Sequence, residues 1–194
     1  MKFTRFPRHV GFIPDGNRRW ADVRGMPRGA GYAPGVEPGL RLLALCRELG
    51  IGEVSVYGFT KENVRRSGEQ VEAFRRACTD FALQAIGTGA ALRVVGDSRS
   101  SVFPDALRPF AQERSSGDLR VNLLVNYGWQ WDLSGVAEHA RVVGRLSVST
   151  LSDALASREV PRVDLVVRWG DACSWSKCLS LRLKLMEDTL WPTS

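Results

Sequence analysis

The sequence predicts an α/β fold with a central, mainly parallel sheet flanked by helices, and three observations predict it. Short apolar runs of strand length alternate along the chain with segments of helical period. Each run ends in a loop rich in glycine, arginine and small polar residues. The 194 residues contain no internal repeat, low-complexity tract or linker, so residues 1–194 are expected to form one domain with its own core.

The first run is His9–Ile13 (HVGFI), a strand ended by Pro14-Asp15-Gly16. A helix begins over Arg18 to Val23, and Gly25 to Gly35 reads as a Gly/Pro-punctuated loop. Val36, Leu40, Leu43 and Arg47 then fall on helical spacing until Gly50 stops them. Glu53 to Phe59 (EVSVYGF) is a buried strand. Val71, Phe74, Cys78, Phe81 and Ala85 recur at intervals of three and four, a helix with one apolar face. Ala91 to Val95 and Arg120 to Val125 are strands with a helix at Pro104 to Arg114 between them. Asp132 is read as the cap of a helix running to about Val143. A short helix around Thr150 to Ala156 precedes a last strand, Val163 to Val167.

Hydrophobic residues make up 44% and charged residues 25%, the balance of an ordinary soluble protein. No apolar run approaches membrane-span length and the first residues lack a signal-peptide core, so a cytoplasmic location without stable membrane insertion is expected. Cys46, Cys78, Cys173 and Cys178 lack paired CxxC spacing and are read as free thiols, two of them on helix faces. His9 begins a strand and His139 sits within a helix, and structural roles are assigned to both. The net charge of +6 points to an anionic partner. Its arginines gather at loops (Arg18, Arg19, Arg28; Arg65, Arg66; Arg168) instead of forming a basic helical stripe. That arrangement suits a compact polyanion better than nucleic acid.

In open α/β sheets ligands bind beyond the carboxyl ends of the strands. Five loops should therefore meet there: those beginning at Asp15, Thr60, Gly96, Asn126 and Arg168. In Asp15-Gly16-Asn17-Arg18-Arg19, a strand end feeding a helix start turns backbone N–H groups toward one point. Gly16 admits close approach, Asn17 and Arg19 add donors, and Asp15 adds a hard oxygen ligand. Together they suit a diphosphate with Mg²⁺; an Asx-turn with solvated arginines is the plain alternative. Thr60, Asn63 and Arg66 in FTKENVRR can bind a ligand, or form a helix cap and a basic turn. Arg168 directly after a buried strand needs an anionic partner, either a ligand or a structural carboxylate such as Asp164 or Asp171. Asn126-Tyr127-Gly128-Trp129-Gln130-Trp131-Asp132 is equally readable as a turn and a cap.

These segments, in this order, resemble the cis-prenyltransferase family, whose familiar member is undecaprenyl diphosphate synthase. The matches are HVGFIPDGNRRWA (9–21), Arg24 to Gly31, YGFTKENVRR (57–66), LRVVGD (92–97), NYGWQWDL (126–133), VDLVVRWG (163–170) and Leu190-Trp191-Pro192, which span nearly the whole chain. The resemblance implies that family's parallel-sheet fold, an apolar tunnel, isoprenoid diphosphate substrates, Mg²⁺ and a homodimer. By the same resemblance Asp15 looks like the catalytic Mg²⁺ ligand. Gly16, Asn17, Arg18 through its backbone, Arg19 and Arg28 look like the cradle of the allylic diphosphate. Asn63 resembles the residue that positions or deprotonates the acceptor, with Thr60 a second candidate through water and Arg66 on the same rim. Arg168 and Ser176 resemble what remains of a second diphosphate site.

Several positions depart from the family pattern. Tyr32 stands where a His usually lies beside the first diphosphate, Val64 replaces an aromatic residue, Lys61 a small polar one, and Trp129-Gln130 a Gly-Arg type pair. Ser174 occupies the position of a second arginine that grips isopentenyl diphosphate. The stretch from Ser176 to Pro192 is shortened, removing an acidic residue for which Glu187 is the candidate substitute. A preserved first site and a rebuilt second one resemble the lavandulyl-type branch. That branch joins dimethylallyl and geranyl diphosphates head to middle into a branched fifteen-carbon diphosphate. Phe74 and Phe81 on the tunnel helix imply a short product. Ordinary head-to-tail elongation and a silent partner subunit are the competing readings; the intact Asp15, Asn17, Arg19 and Arg28 speak against the latter.

Overall fold

The computed structural model describes residues 6–144 and 151–169. Among these residues five strands, β1 (His9–Ile13), β2 (Glu53–Thr60), β3 (Ala90–Val95), β4 (Leu119–Tyr127) and β5 (Leu165–Arg168), form one sheet in the order β3-β4-β2-β1-β5. Every pairing is parallel. Among the described residues six α-helices accompany them: α1 (Asn17–Val23), α2 (Val36–Glu48), α3 (Gly68–Gly87), α4 (Arg108–Gln112), α5 (Trp129–Val143) and α6 (Leu151–Ala154).

The strand alternation explains the two layers. On one face Val10, Phe12, Val54, Val121 and Leu123 pack under α2 and α3, which contribute Leu43 and Cys46, and Cys78, Phe81, Ala82 and Ala85. On the other face Tyr57, Val95, Leu124 and Tyr127 pack with Val160 and Val163. Parity changes twice, in β2 at Phe59 and in β4, where Leu124 and Tyr127 share a face across Asn126 at φ +52°. Val54 and Val56 belong to the first face, yet so does Phe59, because the pairing of β2 with β4 slips on either side of Phe59. Gly58 occupies the slip. A Cβ there would lie 2.9 Å from the carbonyl oxygen of Leu124 and 3.1 Å from the Cys78 sulfur, so only glycine lets α3 sit this close.

Polar groups inside the second layer satisfy one another. His9 Nε2 lies 2.8 Å from Ser55 Oγ and its Nδ1 3.0 Å from the Arg162 carbonyl. Asn122 donates to Glu53 at 2.7 Å and to Ser55 at 3.2 Å, and accepts from Arg114 at 2.7 Å. This seam confirms the structural reading of His9. His139 lies exposed on α5.

Four details differ from expectation. The loop over 25–35 contains two turns of 3₁₀-helix, Arg28–Gly31 and Ala33–Gly35, since glycines and Pro34 allow tight turns but no longer helix. The helix expected over Pro104 to Arg114 is a 3₁₀ turn, Asp105–Leu107, followed by α4. The last strand starts at Leu165 because Asp164 turns back onto β1, its carboxylate accepting from the backbone N–H groups of Arg8 and His9. Asp132 does not cap α5: Gly128 holds that place, and the Asp132 N–H already donates to the Gly128 carbonyl. The fully buried Asp132 carboxylate instead accepts from Tyr127 Oη (2.6 Å) and from the N–H and hydroxyl of Ser157 (2.8 and 2.9 Å). It ties the segment after α6 to the sheet. Cys46 and Cys78 are free thiols on α2 and α3, and both are buried.

Candidate active site

β1 delivers Asp15 to the carboxyl edge of the sheet, and Gly16, at φ +110°, makes the sharp exit that starts α1 one residue later. Arg168 is the register partner of Ile13 across β1 and β5, which brings its guanidinium to the Asp15 carboxylate at 2.8 Å. Arg19 lies 3.8 Å from the other carboxylate oxygen. Partial burial alone would raise the Asp15 pKa. The hydrogen bond from Arg168, the charge of Arg19 and the Gly16 N–H outweigh it and hold the carboxyl below its ordinary range. Asp15 is thus a carboxylate partner of Arg168; of the two structural partners proposed for it, Asp164 accepts from backbone N–H groups and Asp171 lies outside the described residues.

β2 ends at Thr60 and a 3₁₀ turn over Lys61–Arg65 follows. Asn63 donates to Thr60 Oγ1 at 2.6 Å, and both residues are buried. The Thr60 hydroxyl does not cap the turn. Arg66 donates to the Tyr32 hydroxyl at 2.6 Å, and Arg28 pairs with Asp22 at 3.0 Å.

These residues surround an open cavity of about 390 Å³. Arg18, Arg19, Arg28, Arg66 and Arg168 line it against three carboxylates, Asp15, Asp22 and Glu62, so cationic groups prevail. Gly16, Asn17, Tyr32, Thr60 and Asn63 complete the wall. An apolar chamber of about 70 Å³ adjoins it between the sheet, α2 and α3, with Val36, Leu42, Val56, Ala77, Cys78 and Phe81 in its lining. Pro14, Asn17, Tyr32, Gly58 and Phe74 line both spaces. A charged head and an apolar tail could be held at once. Burial pushes the Cys78 thiol up to about 12, so it faces the chamber as an inert group.

Only three of the five expected loops line this cavity. The two after β3 and β4 engage elsewhere: Lys61 donates to Asp97 at 3.0 Å, and Asn126, held at φ +52°, donates to the Asp97 carbonyl at 3.1 Å. They brace the rim. Ser174, Ser176, Glu187, Cys173, Cys178 and Leu190 to Pro192 lie outside the described residues. Glu62 lines the cavity from the expected loop after β2, whereas Asp22 was not anticipated, although it follows Arg18 at the four-residue spacing that shares a helix face.

Among the described residues no three His, Cys, Asp or Glu side chains cluster as a protein cage for a metal. Mg²⁺ commonly takes one or two carboxylates and completes its shell with phosphate oxygens and water. Asp15, one carboxylate beside an arginine-lined cavity, fits a metal that shares a bound diphosphate.

A family model described as "Putative undecaprenyl diphosphate synthase" matches residues 13–193. The chain belongs to the cis-prenyltransferase family. The relatives of this cis-prenyltransferase include an isoprenyl transferase of Nitrosomonas europaea, 32% identical over 96% of this chain and 77% of that protein. They also include a ditrans,polycis-undecaprenyl-diphosphate synthase ((2E,6E)-farnesyl-diphosphate specific) of Pseudomonas syringae pv. tomato, 33% identical over 96% of this chain and 82% of that protein. Among solved structures, lavandulyl diphosphate synthase from Lavandula x intermedia, in complex with dimethylallyl diphosphate, superposes with a TM-score of 0.76 at 22% identity. It covers 91% of this chain and 82% of that one. A probable undecaprenyl diphosphate synthase from Campylobacter jejuni gives 0.67 at 22% identity, covering 90% and 80%. These two show the shared fold. The protein is a prenyltransferase enzyme, and no helix among its described residues is long and apolar enough to cross a membrane.

Proposed function

We propose that this prenyltransferase joins dimethylallyl diphosphate to geranyl diphosphate head to middle, giving the branched isosesquilavandulyl diphosphate and free diphosphate. One observation carries the reading: an arginine-lined head cavity adjoins a short apolar chamber; the resemblance adds Ser174 at the position of a second isopentenyl-binding arginine. In the reaction the C1–O bond of one allylic diphosphate breaks and its electron pair leaves with the diphosphate. The internal alkene carbon of dimethylallyl diphosphate bonds to that C1, and the resulting cation loses a proton to restore an alkene.

The residue roles follow from charge and reach. Gly16, Asn17, Arg19 and Arg28, with the Arg18 backbone, hold the departing diphosphate, and their charge offsets what develops on it. Asp15 would hold Mg²⁺ there, and the ion supplies further neutralisation of the leaving group. Tyr32 and Arg66 border the same head group. The buried Thr60–Asn63 pair positions the acceptor, and the proton goes to the departing diphosphate or, through water, by way of this pair. Arg168, Ser174 and Ser176 hold the second diphosphate. Residues 1–194 act as one catalytic domain of a cytoplasmic homodimer, which sedimentation of the purified protein tests.

Purified protein offered dimethylallyl, geranyl and isopentenyl diphosphates in pairs, with the hydrolysed alcohols identified, tests the reaction. A branched alcohol from the dimethylallyl and geranyl pair is expected. A linear cis alcohol formed only with isopentenyl diphosphate would overturn the head-to-middle reaction in favour of regular elongation.

A further inference from the structure

Tyr32 lies between the two 3₁₀ turns of the 28–35 loop, is 4% exposed, and lines both the head cavity and the apolar chamber. Its ring lies flat on Phe74 of α3, centroids 4.4 Å apart and planes 2° apart. Phe74 in turn meets the fully buried Phe59 of β2 edge-on at 5.6 Å. The hydroxyl of Tyr32 accepts from Arg66 Nη1 at 2.6 Å. Among the described residues no other group hydrogen-bonds the Arg66 guanidinium. That guanidinium also lies 5.9 Å from the Tyr32 ring centre and 5.5 Å from that of Phe74.

The geometry points to Tyr32 as a positioning and specificity residue. Its hydroxyl holds Arg66 at the diphosphate cavity, and its ring, stacked on Phe74, sets the neck that the prenyl tail must pass. The inference rests on the proposed diphosphate chemistry and adds a division of labour to it. A long arginine side chain with one hydrogen-bond partner loses its preferred rotamer when that partner goes, and the entropy of re-ordering it falls on the ligand. A stacked pair anchored edge-on to a buried ring has little room to part, so the neck is narrow because Phe59 backs it. Head-group grip and tail gating thus meet in one residue, yet they use different atoms and can be separated.

Calorimetry with inorganic diphosphate and steady-state kinetics with the allylic substrate separate them. Tyr32→Phe keeps the ring and loses the hydroxyl. It should weaken inorganic diphosphate binding and raise KM by about tenfold, the size of a charge-assisted hydrogen bond, with little change in product length. Arg66→Met should do the same, and the double variant should be no worse than Arg66→Met alone. Phe74→Leu keeps the hydrogen bond from Arg66 to Tyr32, so it should weaken diphosphate binding much less than Tyr32→Phe and should lengthen or broaden the alcohols released after hydrolysis. Additive losses in the double variant, or wild-type diphosphate affinity in Tyr32→Phe, overturn the positioning role. Unaltered products from a folded Phe74→Leu protein overturn the gate. Calorimetry needs no turnover, so failure of the proposed reaction and failure of this assignment are told apart.

Discussion

At the scale of single residues, the chemistry concentrates on Asp15 and the guanidinium that reaches it. Asp15→Ala should lower turnover by about a thousandfold, the scale of losing a group that stabilises developing charge. Because the carboxylate is partly exposed, melting should change little, so kcat beside a thermal melt checks the role. Arg168 holds one Asp15 oxygen at 2.8 Å, in competition with any cation. Arg168→Met should therefore tighten Mn²⁺ binding in the absence of diphosphate, read by the loss of free-Mn²⁺ paramagnetic resonance. Unchanged Mn²⁺ affinity would show that the contact does not compete. The motif around Asp15 was readable from its residues, but its ion pair was not. Asp164 and Asp171 stand nearer to Arg168 in the chain, whereas the partner lies 153 residues away.

At the scale of elements, local signals placed β1, α1 and α2 almost to the residue, because strand period, helix period and glycine stops act over a few neighbours. Asp132 shows where such signals mislead. A carboxylate at the start of a helix looks like a cap, but here it joins three donors, two of them from Ser157. Asp132→Ala should cost roughly 2–4 kcal/mol in urea denaturation by leaving these buried donors unpaired. The seam between β1 and β2 sets a pH dependence. Burial lowers the His9 pKa although Glu53 and Asp164 pull the other way, so the imidazole is neutral in the fold. Unfolded chains bind that proton more readily. Stability is thus complete above about pH 6.5, falls as pH drops below that value, and levels off beneath the folded pKa. Urea midpoints across pH 5 to 8 would show it, and a flat profile would remove the role.

At the scale of the whole molecule, product size depends on how the layers close around the chamber. Phe81 of α3 is buried in its lining, so Phe81→Ala should enlarge the space and shift the released alcohols to longer chains at a stability cost of about 3–5 kcal/mol. Chromatography of the hydrolysed products decides. The sequence by itself determined the alternation of strands and helices, the parallel sheet and the polar edge that carries the site, since each depends on period and punctuation within short windows. Only the tertiary structure decided which loops converge. The order β3-β4-β2-β1-β5 sets β1 beside β5, joins Asp15 to Arg168, and leaves the loops after β3 and β4 to brace each other. The physical reason is that strand neighbours are chosen by burying both faces of one sheet at once, a condition on the whole chain that no local stretch contains.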